Sequence, residues 1–179
     1  MSDFIKRYEQ DLLEWYEALV FALFVFVIGF SFLFRIIVVN GMSMVPTLSP
    51  GDRLIIWAAG YTPERGDVIV VDGYIDYGKP LVKRVIAMGG DTVDIDFEAG
   101  TVQINGTTLQ ERYVAAPTHL QGDVAFPLIV PDGSVFVMGD NRNESKDSRS
   151  TEIGFIDQRD ILGKVIFRIS PFDKIGGIQ

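Results

Sequence analysis

Residues 19–34 read LVFALFVFVIGFSFLF and carry no charge. Arg35 interrupts this run, and further apolar residues follow from Ile36 to Val39. A membrane-spanning helix needs about 20 mostly apolar residues, and an arginine near its end can extend its charged head to the lipid head groups. The stretch therefore predicts a single transmembrane anchor at residues 19–39.

A cleaved signal peptide and a buried core helix are the alternatives for this segment. A signal peptide has a basic start, a shorter apolar region and a small-residue cleavage site. Here Lys6 and Arg7 lie among acidic residues, and no Ala-x-Ala site follows the apolar run. The pattern favours the anchor.

The residues before the anchor, 1–18, are polar with scattered aromatic side chains. Phe4, Tyr8 and Leu12 recur every four residues and give one apolar helical stripe. Trp15 and Tyr16 are of the types enriched at membrane interfaces. We predict an interfacial or cytoplasmic segment, and a solvated helical tail is the alternative. Basic residues flank both sides of the anchor, so charge alone does not decide its orientation.

The overall composition excludes several classes of function. The formal net charge of −8 and the pI of about 4.6 argue against a nucleic-acid partner. The chain has no cysteine, which excludes disulfides and a thiolate nucleophile, and its single histidine, His119, excludes a multi-histidine metal cluster. We therefore expect no cofactor and no metal.

After residue 40 the sequence changes to short β-like runs rich in Val, Ile and Phe. Asn105-Gly106 lies between two such runs and is a strong signal for a two-residue hairpin turn. The sequence predicts a mostly antiparallel β domain at residues 40–179, large enough to hold a core. The predicted strands are Arg53–Trp57, Asp67–Val71, Leu81–Met88, Thr92–Asp96, Thr101–Ile104, Ser134–Met138 and Gly163–Ile169.

Ser43 and Lys83 are the candidates for catalysis. A serine hydroxyl needs a base to take its proton, and a lysine can serve if burial lowers its pKa. Lys83 lies within the apolar run from Leu81 to Ile86. On a strand, Lys83 and Arg84 face opposite sides and so have different roles. Taken alone, such a lysine is more often a residue of an edge strand. His119 is the alternative base, but it has no acidic signature nearby.

A third segment, residues 139–149, reads GDNRNESKDSR. Most such runs are solvated loops. The alternation of aspartate and arginine around two serines is also the composition of a loop that ion pairs hold in place, with a hydroxyl directed at a neighbour.

Together these segments resemble the bacterial type I signal peptidases (leader peptidases), membrane-anchored Ser–Lys endopeptidases that remove signal peptides from exported proteins. The resemblance covers nearly the whole chain, from the anchor to about Phe172. The matching motifs are Ser43-Met44-x-Pro46-Thr47-Leu48, Gly51-Asp52, Arg65-Gly66-Asp67, Lys83-Arg84-Val85, Gly139 through Arg149, and Gly163 through Ile169.

The resemblance implies a role for each matching residue. Ser43 is similar to the nucleophile, Lys83 to the general base and Ser145 to the hydroxyl that orients the lysine amine. An ionic scaffold holding the last loop is implied for Asp140, Asp147, Arg149 and Arg84. One branch of the family has a serine two residues before the nucleophile. Here Gly41 stands there, as in the branch common in Gram-positive bacteria, so the Ser43 backbone N–H would form much of the oxyanion hole.

The resemblance also implies the fold, the substrate and the location. The domain would be a coiled antiparallel β-sheet with a small cap insertion at about residues 98–132, lying outside the cytoplasmic membrane. Substrates would be exported preproteins with small residues at positions −1 and −3, and membrane lipid would be a second partner. The small side-chain pockets would be lined by Met44, Leu48, Val39, Leu81 and Val82.

Two alternatives to this function remain at the level of sequence. One is a Ser–Lys protease that processes a dedicated partner or itself. The other is a catalytically silent, membrane-tethered β domain that binds a partner. The presence of Ser43, Lys83 and Ser145 together favours an active enzyme.

Overall fold

The structure, a computed structural model, describes residues 2–74 and 77–178. It consists of one N-terminal helix followed by a domain of antiparallel strands. This confirms the predicted mostly β fold with a single helix ahead of it.

The helix, α1, runs from Ser2 to Leu33. Its Asp11–Leu33 portion is 23 residues long with a mean hydropathy of 2.2, and none of it is buried against the domain. At about 1.5 Å per residue this portion measures about 35 Å, enough to cross a hydrocarbon core of about 30 Å. Among the described residues this is one helix long and apolar enough to span a membrane. The side chains of the predicted interfacial stripe at Phe4 and Tyr8 lie outside the described part of the chain.

The helix ends earlier than the predicted anchor. Residues 34–38 form a strand that pairs with residues 53–57. From the sequence these residues were predicted to be part of the membrane span. Ile36, Ile37 and Val38 are β-branched and favour extended backbone. Hydrophobicity alone does not distinguish the last turn of an apolar helix from such a strand.

Most strands form one sheet of eight, and four others form a smaller sheet. In chain order the strands are β1 (Phe34–Val38), β2 (Arg53–Trp57), β3 (Val68–Val71), β4 (Leu81–Met88), β5 (Thr92–Asp96), β6 (Thr101–Ile104), β7 (Thr107–Thr108), β8 (Leu128–Ile129), β9 (Ser134–Met138), β10 (Ile156–Asp157), β11 (Ile161–Ser170) and β12 (Gly176–Gly177), with 3₁₀ turns at Gln158–Asp160 and Phe172–Lys174.

The large sheet has the order β1-β2-β11-β3-β4-β9-β10, and β12 pairs with β11. The small sheet has the order β7-β6-β5-β8 and contains the predicted turn, where Asn105 and Gly106 have positive φ angles of 53° and 77°. This small sheet and the segments that connect its strands overlap the predicted insertion at about residues 98–132.

Strand β4 is central to the core because both of its faces are buried. Val85 packs in a cluster with β3 and β9, while Ile86 and Ala87 pack in a second cluster with the small sheet. This explains why the run from Leu81 to Met88 is continuously apolar apart from Lys83 and Arg84. Both charged side chains are held inside the protein, at 3% and 2% exposure.

Candidate active site

Ser43 lies in a loop of residues 39–52, here called the serine loop. Its ends are joined by hydrogen bonds from Val39 N to Asp52 O and from Gly51 N to Val39 O, both 2.9 Å long. Met44 and Leu48 are buried in the core and anchor the loop from within. Ser43 itself is half-buried. The nucleophile candidate is thus held on a closed, anchored loop and remains partly open to solvent.

The structure brings Lys83 to Ser43. Lys83 Nζ donates a hydrogen bond to Ser43 Oγ over 2.7 Å. Burial lowers the pKa of Lys83 from its ordinary value of 10.5 to about 8, against the opposing effect of Asp147. A substantial fraction of the amine is therefore neutral in mildly alkaline solution. In that form it can accept a proton from the serine hydroxyl.

Arg84 has different partners from Lys83, as the strand alternation predicted. Its guanidinium forms two hydrogen bonds with Asp140, of 2.9 and 2.8 Å, and a third with the carbonyl of Gly66. Thr47, in the serine loop, also donates to Asp140. Asp140 thereby joins β4 to the serine loop.

Residues 139–150, here called the charged loop, are ordered by buried ion pairs rather than solvated. Arg149 forms two bonds of 2.8 Å with Asp147, and both side chains are almost fully buried. Asp147 also accepts from Gly139 N, and Arg149 donates to the backbone carbonyls of Arg142 and Leu120. The Asp147 carboxylate thus accepts hydrogen bonds from Gly139 and Arg149, which holds both ends of the loop together.

Ser145 lies beside Ser43 and makes no hydrogen bond to Lys83. Its side chain is 5% exposed, and its Oγ has no hydrogen-bond partner within the part of the chain that the structure describes. A Cβ on Gly139 would clash with this Oγ and with Ser43 O. Glycine at position 139 thus allows the charged loop and the serine loop to approach closely.

The five residues predicted to line substrate pockets do not all lie together. Val39, Met44 and Leu48 are buried in one cluster, and Val82 packs against it. Leu81 packs in a different cluster, beside β9. The reason is strand alternation, which directs Leu81 and Val82 to opposite faces of β4.

His119 is exposed, and its Nδ1 lies 2.9 Å from the carbonyl oxygen of Phe97. Its backbone N–H donates to Asn143 in the charged loop. The hydrogen-bond partners of His119 are thus Asn143 and Phe97, not Ser43.

Three residues around the charged loop were not predicted from the sequence. Arg142 belongs to the loop, and Glu111 and Tyr113 reach it from another segment. Arg142 is fully buried and pairs with Glu111, while the ring of Tyr113 lies 4.0 Å from Arg84 Cζ. Arg142 lies in the motif from Gly139 through Arg149, so its burial could have been predicted from the resemblance. Nothing in the local sequence of Glu111 and Tyr113 indicates that they reach this loop.

Comparison with known proteins identifies the family. Residues 12–170 match the family described as "Signal peptidase, peptidase S26". A Synechocystis protein described as a probable signal peptidase I-1 is 42% identical over 146 residues, which are 75% of this chain and 70% of that protein. A signal peptidase I from Bacillus licheniformis is 37% identical over 178 residues, 93% of each chain. A solved signal peptidase I from Enterococcus faecalis is 31% identical, covers 59% of this chain and 97% of its own, and has a TM-score of 0.47.

The family match and the two relatives show that the chain belongs to the bacterial type I signal peptidases. Members of this family are serine peptidases that cleave signal peptides from preproteins. The family predicted from the motifs is confirmed, and the apolar helix α1 is consistent with a membrane-anchored enzyme.

Proposed function

We propose that Ser43 and Lys83 are the catalytic dyad with which this protein hydrolyses the bond between a signal peptide and the exported protein that follows it. The observation that carries this assignment is the 2.7 Å hydrogen bond between Lys83 Nζ and Ser43 Oγ, made by a lysine whose burial lowers its pKa to about 8. Nucleophile and base are thus within the distance that proton transfer requires.

The reaction proceeds through an ester. Ser43 Oγ attacks the carbonyl carbon before the scissile bond while neutral Lys83 accepts the hydroxyl proton. The resulting ammonium gives that proton to the leaving amine, which becomes the new N-terminus of the mature protein. The signal peptide remains as an acyl ester on Ser43. Lys83, neutral again, removes a proton from water, which attacks the ester, and the ammonium returns its proton to Ser43 Oγ.

The developing negative charge on the carbonyl oxygen needs a hydrogen-bond donor. Gly41 carries no side chain, so the proposed donor is the Ser43 backbone N–H. The charged loop supports the dyad through the hydrogen bond from Asn141 N to Ser43 O. In the proposal Ser145 Oγ, buried and without a partner of its own among the described residues, accepts a bond from the Lys83 ammonium when it forms.

Specificity for small residues at −1 and −3 is the second part of the proposal. In the proposal, the small side chains bind against Val39, Met44, Leu48 and Val82, which pack in one apolar cluster. Leu81 is not part of this proposed pocket, because it packs in another cluster.

The third part concerns location. We propose that α1 crosses the cytoplasmic membrane once, and that residues 40–179 lie on its outer side, where lipid is near the site. Protease added to intact spheroplasts should then digest this domain. A domain that stays protected until the membrane is broken would contradict the orientation.

The function is tested with purified full-length protein in detergent and a labelled preprotein. Wild type should release the mature protein at the signal-peptide junction, and Ser43→Ala should lose about a millionfold in turnover. Both proteins should have the same melting temperature within a few degrees. A folded Ser43→Ala variant with wild-type turnover would overturn the assignment, and so would a wild-type protein that binds preprotein without cutting it.

A further inference from the structure

Tyr113, which precedes β8, lies close to two buried guanidinium groups. Its ring centre is 4.0 Å from Arg84 Cζ and 6.0 Å from Arg142 Cζ. Its hydroxyl donates a 3.1 Å hydrogen bond to a carboxylate oxygen of Glu111. The negative face of an aromatic ring attracts a cation at such distances. The ring is therefore placed to attract both buried cations, and such an attraction is stronger in a medium of low dielectric constant than in water.

Glu111 completes this arrangement by neutralising Arg142. The two side chains form a two-pronged ion pair with bonds of 2.8 and 2.5 Å. Arg142 is fully buried, and Thr118 accepts a further bond from it. A buried arginine without its carboxylate is strongly unfavourable. Residues outside the charged loop thus determine whether Arg142 can remain in its place.

Both guanidinium groups hold the backbone that touches the nucleophile. Arg142 Nε donates to Gly139 O over 3.0 Å, and Arg84 binds Asp140. The next residue, Asn141, donates its N–H to Ser43 O over 2.9 Å. A continuous set of contacts therefore runs from Tyr113 and Glu111, through the two arginines, to the carbonyl of Ser43.

We propose that Tyr113 and Glu111 are positioning residues of the reaction: acting through Arg84 and Arg142, they hold the charged loop against Ser43 and keep water away from Lys83. This inference rests on the dyad proposed above and assigns a catalytic purpose to the segment inserted between β7 and β8. It adds two residues that touch neither Ser43 nor Lys83.

Loosening the loop has a consequence that a purely structural role lacks. Lys83 owes its low pKa mainly to burial, and the charges that act on it are those of Asp147, Arg149 and Asp140. If the loop moves away, water reaches the amine and its pKa rises toward the ordinary value. The pH at which activity appears should then rise, even in a variant that remains folded.

The test compares Tyr113→Leu, Tyr113→Phe and Glu111→Gln in the full-length protein, with kcat, KM and a pH profile measured on a labelled preprotein. Tyr113→Leu removes the ring and should lower kcat about tenfold, with KM within about twofold and the rising limb moved to higher pH. Tyr113→Phe keeps the ring and should retain most of kcat. The control is Tyr74→Leu, because the Tyr74 side chain is exposed and Tyr74 lies outside the charged loop and this set of contacts.

Glu111→Gln keeps the shape of the side chain and removes only its charge. Since Glu111 is not among the charges acting on Lys83, a limb moved to higher pH in this variant reports movement of the loop. If Tyr113→Leu fails to fold, the Glu111→Gln variant tests the proposal in its place.

The proposal is overturned if a folded Tyr113→Leu or Glu111→Gln variant keeps the wild-type limb and kcat, or if Tyr74→Leu shows the same losses. These outcomes are distinct from failure of the dyad. The dyad fails if wild type does not cleave or if Ser43→Ala does, whereas the positioning proposal fails while wild type cleaves normally.

Discussion

At the scale of single residues, the proposed chemistry depends on one buried amine. Lys83 is 3% exposed in a strand with apolar neighbours on both faces, and this environment lowers its pKa to about 8. A lysine on the surface of the same sheet would stay protonated at any physiological pH. Burial therefore turns an ordinary cation into a candidate base.

The pH dependence of cleavage should follow Lys83. The neutral amine is the reactive form, so kcat/KM should rise with pH along a limb centred near 8. Lys83→Arg should be inactive, because a guanidinium does not release its proton at working pH. Lys164→Arg is the matched control, since Lys164 pairs with Asp67 on the sheet and should tolerate the change. An active Lys83→Arg enzyme would contradict the role of base.

The same burial of Lys83 should lower the stability of the protein at neutral pH. The folded pKa of Lys83 lies below its unfolded value of 10.5, so between about pH 8 and 10.5 the unfolded chain binds more protons. Stability then rises with pH in this window, and below pH 8 the full penalty is present. Lys83→Met should therefore stabilise the protein at pH 7, by on the order of 3 kcal/mol.

This advantage of Lys83→Met should shrink as the pH is raised from 8 to 10, and denaturant titrations of both proteins across that range measure it. An advantage that stays constant with pH would show that the lysine is not titrating from its buried site.

At the scale of elements, buried ion pairs hold the charged loop in place. Asp147 and Arg149 are two residues apart, and so are Asp157 and Arg159, which form an exposed pair. The two pairs share spacing and chemistry and differ in burial, with Arg149 at 3% and Arg159 at 89% side-chain exposure. The chain thus contains its own control for the effect of burial on an ion pair.

Asp147→Asn should cost about 3–5 kcal/mol of unfolding free energy, because it leaves the Arg149 charge buried without its partner. Asp157→Asn should leave the denaturation midpoint nearly unchanged, because water solvates the remaining arginine. Urea titrations of the two variants and wild type make the comparison. Equal effects of the two substitutions would show that burial does not set the strength of the pair.

At the scale of the whole molecule, the apolar helix α1 leads directly into the first strand of the large sheet. Ala58 N donates to the carbonyl of the last helical residue, Leu33, over 3.0 Å. The rings of Phe34 and Trp57 pack edge to face at 5.1 Å. Strand β1 then extends about 17 Å from the helix end to the start of the serine loop. The distance between the anchor and Ser43 is therefore set by a paired strand.

Two truncations should separate anchoring from folding. Deletion of residues 1–33 removes the helix and keeps β1, so the domain should fold, cut a soluble peptide, and cut a preprotein in lipid vesicles less well because the local concentration is lost. Deletion of residues 1–38 also removes β1 and exposes the edge of β2, and this protein should melt lower and aggregate. Melting curves, size-exclusion chromatography and peptide cleavage measure these effects. Identical behaviour of the two truncated proteins would show that β1 does not contribute to the stability of the domain.

Much of the fold could be predicted because its signals are local. The predicted strands at Leu81–Met88, Thr92–Asp96, Thr101–Ile104 and Ser134–Met138 agree with the structure, as does the turn at Asn105-Gly106. The end of the helix was predicted too late, because residues 34–38 are as apolar as the span before them. Their pairing with β2 depends on residues that come later in the chain.

The candidate site divides in the same way. The chemical types of Ser43, Lys83 and the charged loop, and their order along the chain, are properties of the sequence and were sufficient to predict the family. Distances between remote residues are not local properties. That Lys83 reaches Ser43, that Leu81 turns away from Val82's cluster, and that Ser145 Oγ lies beside Ser43 without a bond to Lys83 followed only from the packed strands and loops.

The sequence by itself determined an apolar helix before a β domain, the residues available for catalysis, and the absence of thiol chemistry, because composition and periodicity act over a few neighbouring residues. Tertiary structure decided the pKa of Lys83 and the burial of Arg84 and Arg142. It also decided the contacts of Tyr113 with both arginines and of Glu111 with Arg142, which join residues far apart in the chain. The physical reason is that desolvation and ion pairing depend on which groups surround a charge in space, and this is known only when the strands are paired.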